Sequence, residues 1–435
     1  MSKIEVLYAP AKWKIEDDWD SEDNILEKIR SVNMQSNPGV PLVINGKTNA
    51  EMIEAVGEAT LVFLIQERLN NLKAGRKISD SVRLFIKQEP HSVEKAKLQR
   101  WRLIWLVAFI DQVIDALLFD PSIDSEIKNH RLIPSKPGWT WLKGGMNDFK
   151  NQMDDFSDKL GTSDKSSWDW TVQSWEYDGD LERRSRLCVN PDGLRSREFL
   201  KLQSIRYDIL SCGKIQFSDG DSFQQEVNGI VRSGSKVTIS LNSFCQVYNK
   251  VLYCEKTFEG GFREKLHKIA AIGDDAFERF HGVDLEDYKR FLQDFCGHIV
   301  KYIQTGKFMD LHFCSHKFVD YNGFCVAVPD NLDKHLYRLK RKEKSKIQFL
   351  EDQLASYCIE HAFSPPEVFD KFYNKLLEFD ASKARSRQYY KDLHTGFERT
   401  ISGGSFKDFG AFKMACMMCD SYEDGEVLPY ILTFM

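Results

Sequence analysis

Between Ile269 and Phe280 the chain reads IAAI, then Gly-Asp-Asp, then AFERF. Two short apolar runs around a glycine predict strand, tight turn, strand, with two adjacent carboxylates, Asp274 and Asp275, at the turn. Gly273 supplies the tight backbone, and the paired carboxylates can point at a divalent cation. Taken alone, Gly-Asp-Asp is also an ordinary solvated turn. The apolar frame constrains the reading: carboxylates flanked by core strands need a cation or a donor to offset their desolvation.

A second carboxylate pair, Asp164 and Asp169, lies in TSDKSSWDWTV, with Trp168, Trp170 and Val172 alongside. One carboxylate at a strand end and another in the next turn suit chelation plus a separate hydrogen-bonding task. Two surface aspartates in a polar loop are the plain alternative. A third element, SGSKVTISLNS, carries Ser233, Gly234, Thr238, Asn242 and Ser243. A helix from Lys236 onward brings Thr238, Leu241, Asn242 and Cys245 together at three- and four-residue spacing. Such a polar face can hold a sugar or a strand, or it is a capped helix start with incidental hydroxyls.

The 435 residues are 42% apolar and 29% charged, enough for two to four folding units and incompatible with a disordered chain. Ten scattered cysteines are too sparse for a disulfide scaffold, which favours a reducing compartment. Cys416 and Cys419 have the spacing of half a zinc site, but no second pair accompanies them, so buried thiols are the expectation. The longest apolar run, Leu103 to Ile110, is under half a bilayer span and predicts no transmembrane segment. No targeting signal opens the chain, and the net charge of −5 argues, at whole-chain level, against a polyanionic ligand.

Along the chain, six carboxylates between Glu16 and Asp23 read as a solvated extension or surface helix. Pro38, Gly39 and Pro41 make Ser36 to Leu42 a loop. Thr48 and Glu51 form a capping box for a helix through Ile53, Val56 and Phe63 that ends near Gly75. VRLFIKQEPH reads as a strand breaking at Pro90. A helix covers about Val107 to Phe119, followed by a loop punctuated by Pro121, Pro134 and Pro137. Another helix starts at Val237, and the C-terminal third is helical in character. Without a βαβ rhythm the class is α+β.

The order D-x4-D, then SG-x3-T-x3-N, then GDD resembles palm motifs A, B and C of positive-strand viral RNA-dependent RNA polymerases. SNPGVP resembles the fingers motif at the mouth of the template channel. LFIKQEPHSVEKAKLQRWRLI resembles the basic fingertip motif, and FCSHKF, Phe313 to Phe318, the primer-grip hairpin. KQEPH, RWRLIWLVAFIDQ and FCSH most resemble the sobemovirus, polerovirus and barnavirus group. The resemblance spans Ser36 to Phe318.

It implies a right hand of fingers, palm and helical thumb, with the palm an antiparallel sheet packed on helices. The expected divisions are 1–104 (extension and fingertips), 105–146 (first palm–fingers segment), 147–175 (palm with motif A), 176–229 (fingers insertion), 230–323 (palm with motifs B to E) and 324–435 (thumb). Asp164 and Asp274 would bind two Mg²⁺ ions, or Mn²⁺ in their place, with Asp275 assisting. Asp169 and Asn242, with Ser233 and Thr238 nearby, would read the ribose 2′-OH. Lys87, Lys95, Lys97, Arg100 and Arg102 would contact the triphosphate and template backbone. Lys301 would be the general acid for pyrophosphate, with Lys307 a rival. RNA would be held by Ser36, Gly39, Gly234, Cys314, Ser315, His316, Arg338, Lys340 and Arg341.

The implied partners are template RNA, nascent RNA, nucleoside triphosphates and a small genome-linked protein primer. The implied location is the host-cell cytoplasm, peripheral to membrane-bound replication complexes. Two other classes compete. The intact Asp164 and Gly-Asp-Asp disfavour a catalytically silent RNA-binding scaffold, and the Asp169–Asn242 pairing disfavours a reverse transcriptase. The charge objection dissolves locally: Arg83 to Arg102 has six basic residues against two acidic, and Lys334 to Lys346 seven against one. Segregated charge suits basic channel walls in an acidic exterior.

Overall fold

The computed structural model describes residues 1–87, 93–340 and 350–396. It divides into two compact units, one of Met1–Trp139 and Met153–Ser315, the other of Thr140–Gln152 and the chain from His316. Helices and largely antiparallel sheets are interleaved, with one parallel pairing between Val82–Ile86 and Lys214–Gln216, as an α+β reading allows.

In the larger unit, β1 (Val82–Ile86) and β2 (Leu103–Leu106) pair antiparallel, Arg83 opposite Leu106. Short strands at Lys214–Gln216 and Ser222–Gln224 extend this sheet from β1. Helix α1 (Phe109–Lys128) follows β2 and runs straight through Pro121. The expected loop at that proline is therefore corrected. Proline removes one intrahelical bond, but this helix is buried on nearly every side. Tertiary packing outweighs the local penalty.

The second sheet comprises β3 (Leu160–Ser166), β4 (Ile269–Ile272), β5 (Asp275–Arg279) and β6 (Ile299–Gly306), in the order β4-β5-β3-β6, all antiparallel. Helix α4 (Thr238–Thr257) packs on its β4 side, α2 (Ser174–Leu187) packs on α4, and α3 (Leu194–Ser211) packs on α2.

A knot of buried charge ties the helices together. Asp180 on α2 accepts from Arg183 Nη2 at 2.6 Å, from Arg184 Nε at 2.8 Å and from the Tyr207 hydroxyl of α3. Arg183 Nη1 also meets Glu126 of α1 at 2.7 Å. Arg184 Nη2 donates to Ser240 of α4 at 2.6 Å. Nearby, Arg206 is bound by Asp115 and Asp111 at 2.7 and 2.8 Å.

The acidic N-terminal segment is not a solvated extension. Ile4, Tyr8, Trp13, Ile15 and Trp19 are buried in the main core. Trp13 Nε1 donates to Arg184 O at 2.9 Å, and Asp20 pairs with Lys73 and Arg195. Aromatic anchors between the charges pull the segment in, while Glu16, Asp17, Asp18, Glu22 and Asp23 stay exposed and a helix begins at Glu22, in line with the surface-helix alternative. The expected single helix to Gly75 is two, Asn49–Val56 and Glu58–Lys73, divided at Gly57 with φ +85°. Thr48 Oγ1 caps Glu51 N as expected, but Glu51 reaches Lys47 N rather than Thr48 N.

The smaller unit opens with β7 (His316–Tyr321) and β8 (Phe324–Pro329), an antiparallel hairpin closed by Asn322-Gly323. Both turn residues have positive φ, 53° and 86°, as an Asn-Gly hairpin turn demands. Helices Leu332–Lys340, Leu350–Glu360, Pro366–Asp380 and Arg387–Thr395 follow. Leu354, Tyr357, Phe369, Phe372 and Leu376 form their core.

Candidate active site

The Gly-Asp-Asp hairpin forms as the sequence reads. Ile272 pairs with Asp275, leaving Gly273 and Asp274 as the turn, and the positive φ of +59° falls on Gly273. A Cβ there would meet nothing within 4 Å, so the glycine is required by backbone conformation rather than by space. Ser163 on β3 lies opposite Ala276, which makes Asp164 and Asp275 the next residues on adjacent strands. The Asp275 pKa is pushed up to about 6 by burial and by the charges of Asp274 and Asp164, while a hydrogen bond with Cys314 opposes the rise.

Helix α4 clamps the turn from behind. Gly273 N donates to Ser243 Oγ at 2.8 Å, and Gln246 Nε2 donates to Asp274 O at 2.7 Å. Gln246 Oε1 accepts from the buried ammonium of Lys165 at 2.7 Å, which also donates to Ser163 Oγ at 2.7 Å. Burial lowers the Lys165 pKa, and Glu278, Asp274 and Asp275 act against that fall. Sequence reasoning named Ser243 in its third element without giving it this role, and it missed Gln246 and Lys165. The signal for Gln246 was its four-residue spacing from Asn242, one helical turn along the same face.

Asp169 sits in the short helix Trp168–Thr171, which follows Ser167 in a left-handed conformation. Asn242 Nδ2 donates to Asp169 Oδ1 at 2.8 Å, joining the two residues expected to read a ribose. Asn242 Oδ1 is buried with no hydrogen-bond partner among the described residues, an acceptor left unsatisfied beside Asp169. Burial raises the Asp169 pKa; the Asn242 bond lowers it, Asp274 raises it and Arg102 lowers it. Arg102, on the fingertip segment, therefore acts electrostatically on this pocket.

Main-chain bonds from Val231 N to Asp169 O, 2.7 Å, and Ile230 N to Val172 O, 3.0 Å, dock the loop before α4 onto this segment. Ser233 and Gly234 are exposed on that loop. A Cβ on Gly234 would lie 1.8 Å from Trp105 O, so only glycine permits the loop to approach β2 this closely. Thr238 faces its own loop: its hydroxyl lies 2.8 Å from both Arg232 O and Ser235 O.

Lys87, at the end of β1, binds Arg102 O through its backbone N–H, 2.8 Å. Lys95, Lys97, Arg100 and Arg102 are all exposed, and residues 88–92 of this motif lie outside the described residues. Ser36 is partly exposed, while Gly39 is buried with its Cα facing Ala108. Cys314 and Ser315 both have positive φ, and the Cys314 thiol meets Asp275. His316 is buried on β7 with its ring 4.2 Å from that of Trp141. Arg338 is exposed; Lys340 ends its helix; Arg341, like Cys416 and Cys419, lies outside the described residues.

The two candidate lysines part company. Lys301 Nζ lies 2.6 Å from Asp164 Oδ2. Gly306 pairs with Leu160 at the other end of β3, which places Lys307 just beyond that end, away from Asp164.

Among the described residues no three His, Cys, Asp or Glu side chains enclose an ion on their own. The donor set fits Mg²⁺ in kind: hard carboxylate oxygens, few in number, whose crowding already raises Asp275. Mg²⁺ characteristically completes such a partial set with water and substrate phosphate.

The family described as viral RNA-dependent RNA polymerase matches residues 17–379, and the chain belongs to it. The RNA-directed RNA polymerase of Mushroom bacilliform virus is 30% identical over 328 residues, covering 71% of this chain and 74% of that protein. The replicase polyprotein P2AB of Southern bean mosaic virus is 29% identical over 342 residues, covering 72% of this chain. Protein P1-P2 of Pea enation mosaic virus-1 is 28% identical over 356 residues, covering 76%. The matches span only 33% and 28% of those two longer proteins. The solved structure of a sicinivirus 3Dpol RNA-dependent RNA polymerase aligns with a TM-score of 0.68 at 15% identity, covering 91% of this chain and 84% of that one. The fold is thus the right-hand polymerase fold.

Proposed function

We propose that this chain is the catalytic polymerase of a positive-strand RNA virus, copying an RNA template by adding nucleotides from triphosphates to an RNA 3′ end. The observation that carries the reading is the convergence of Asp164, Asp274 and Asp275 beside the Asp169–Asn242 pair. Carboxylates for metal and a polar pair for sugar meet on one sheet and one helix.

Asp164, Asp274 and Asp275 would hold two Mg²⁺ ions, whose charge stabilises the attacking 3′-oxygen and the leaving pyrophosphate. The exposed Lys95, Lys97, Arg100 and Arg102 bind the triphosphate and template phosphates. Asn242 Oδ1 accepts the ribose 2′-OH while Asp169 fixes the orientation of the amide. As the 3′-oxygen bonds to the α-phosphorus, the bond to the bridging oxygen breaks, and Lys301 gives a proton to the departing pyrophosphate. The genome-linked protein primer remains part of the proposal on resemblance alone.

Incorporation of radiolabelled ribonucleotides on a defined RNA template, with Mg²⁺ or Mn²⁺, tests the activity. RNA binding without incorporation under both metals would instead leave a silent scaffold. For the sugar, Asp169→Ala frees the Asn242 amide, and a lost hydrogen bond of this type is worth about 1–3 kcal/mol. The preference for ribo- over deoxyribonucleotides should then fall about tenfold or more. Equal losses in kcat/KM for both sugars would remove Asp169 from that role.

A further inference from the structure

We infer that Lys301 is a built-in counter-ion for Asp164, pairing with this carboxylate until a divalent cation takes its place. The inference rests on the reading of Asp164 as a metal ligand. Its observation is separate from that reading and lies in the backbone of β6.

Side chains alternate between the faces of a strand, and residues directly opposite on an antiparallel neighbour share a face. Tyr302 is opposite Asp164, so in a regular ladder Lys301 would project to the other side of the sheet. The ladder is not regular here. Lys165 pairs with Val300, so the register shifts between Asp164 and Lys165, and Lys301 is the extra residue of a β-bulge. A bulge re-aims the side chain of its inserted residue. Here the ammonium ends 2.6 Å from Asp164 Oδ2. A chance meeting of two surface chains would need no change of register.

The electrostatics agree. Asp164 acts on Asp275, which also feels Asp274. Without a cation the three carboxylates repel one another; Lys165 offsets part of that at Asp275, and Lys301 pairs with Asp164 directly. Among the described residues Asp164 has no second ion pair. Both partners are partly exposed, so the bond is weak enough for a divalent ion to displace. Displacement leaves the ammonium beside the metal-binding carboxylates, where the leaving pyrophosphate would carry its charge.

Binding of Mn²⁺ to the full chain, without RNA or nucleotide, is measured by water-proton relaxation. Lys301→Met should bind Mn²⁺ about two- to fivefold more tightly than the parent. Lys301→Arg, which keeps the charge, and Lys307→Met should match the parent, and Asp164→Asn should bind more weakly. Melting temperatures confirm that each variant folds. If Lys301→Met shows no tightening while Asp164→Asn loses affinity, the counter-ion role is wrong and the metal reading stands. Equal tightening in Lys307→Met would reduce the effect to general surface charge and overturn the inference. Unchanged affinity in Asp164→Asn would overturn the inference and the metal reading together.

Discussion

Asp274→Ala is expected to lower nucleotide incorporation by about three orders of magnitude or more, while RNA affinity and melting temperature stay near those of the parent. Metal-assisted stabilisation of transition-state charge is worth several kcal/mol, and each 1.36 kcal/mol is about tenfold in rate. The fold is indifferent to the change. Asp274 is exposed at the turn, and what holds it there is its own carbonyl, bound by Gln246, and the Gly273 N–H, bound by Ser243. Alanine keeps both bonds. Single-nucleotide incorporation and fluorescence anisotropy of a labelled RNA separate the two quantities. Retention of a tenth of the parent rate would remove Asp274 from the metal site and with it the proposed mechanism.

Asp180→Ala should have the largest effect on stability, a loss of about 3–5 kcal/mol in denaturant unfolding. The carboxylate is fully buried and serves Arg183, Arg184 and Tyr207 together. Removing it leaves two buried guanidinium groups short of acceptors, with Glu126 alone near both. The acid dependence follows the same group. Burial opposes ionisation, but Arg183, Arg184 and the Tyr207 hydroxyl outweigh it and hold the Asp180 pKa down at about 2. A depressed folded-state value stabilises the fold fully above the ordinary carboxylate range near 3.9 and loses that contribution as pH falls toward 2. Parent and variant should therefore converge in stability between about pH 4 and 2. A constant difference across that window would assign the loss to packing instead of charge.

The legible parts of the site share one property: local chain determines them. The Gly-Asp-Asp hairpin has its strands adjacent in sequence and its turn residue in place, and α4 begins where the pattern set it. Asp169 and Asn242, 73 residues apart, were paired through resemblance, and the 2.8 Å bond bears out their proximity. The bulge at Lys301 was not legible, because register is set between strands more than 130 residues apart. Neither was the buried knot around Asp180. Glu182, Arg183, Arg184 and Arg186 form one charged run with no apolar period to orient it, yet Arg183 and Arg184 point inward to partners on other helices while Arg186 stays outside. Pro121 misled for a related reason, since propensity is local and the burial of α1 is not.

Asn242 and Gln246 are four residues apart on α4, little more than one turn and about 6 Å of rise. One end of that turn touches the pocket proposed to hold the sugar, and the other grips the carbonyl of Asp274, proposed to bind metal. A rigid rod so short has almost no compliance. On the proposed function, a tilt of the helix imposed by an ill-fitting nucleotide at Asn242 would be passed on to Asp274. Recognition and chemistry would then work on a common lever, and a misfit would be penalised in rate as well as in affinity.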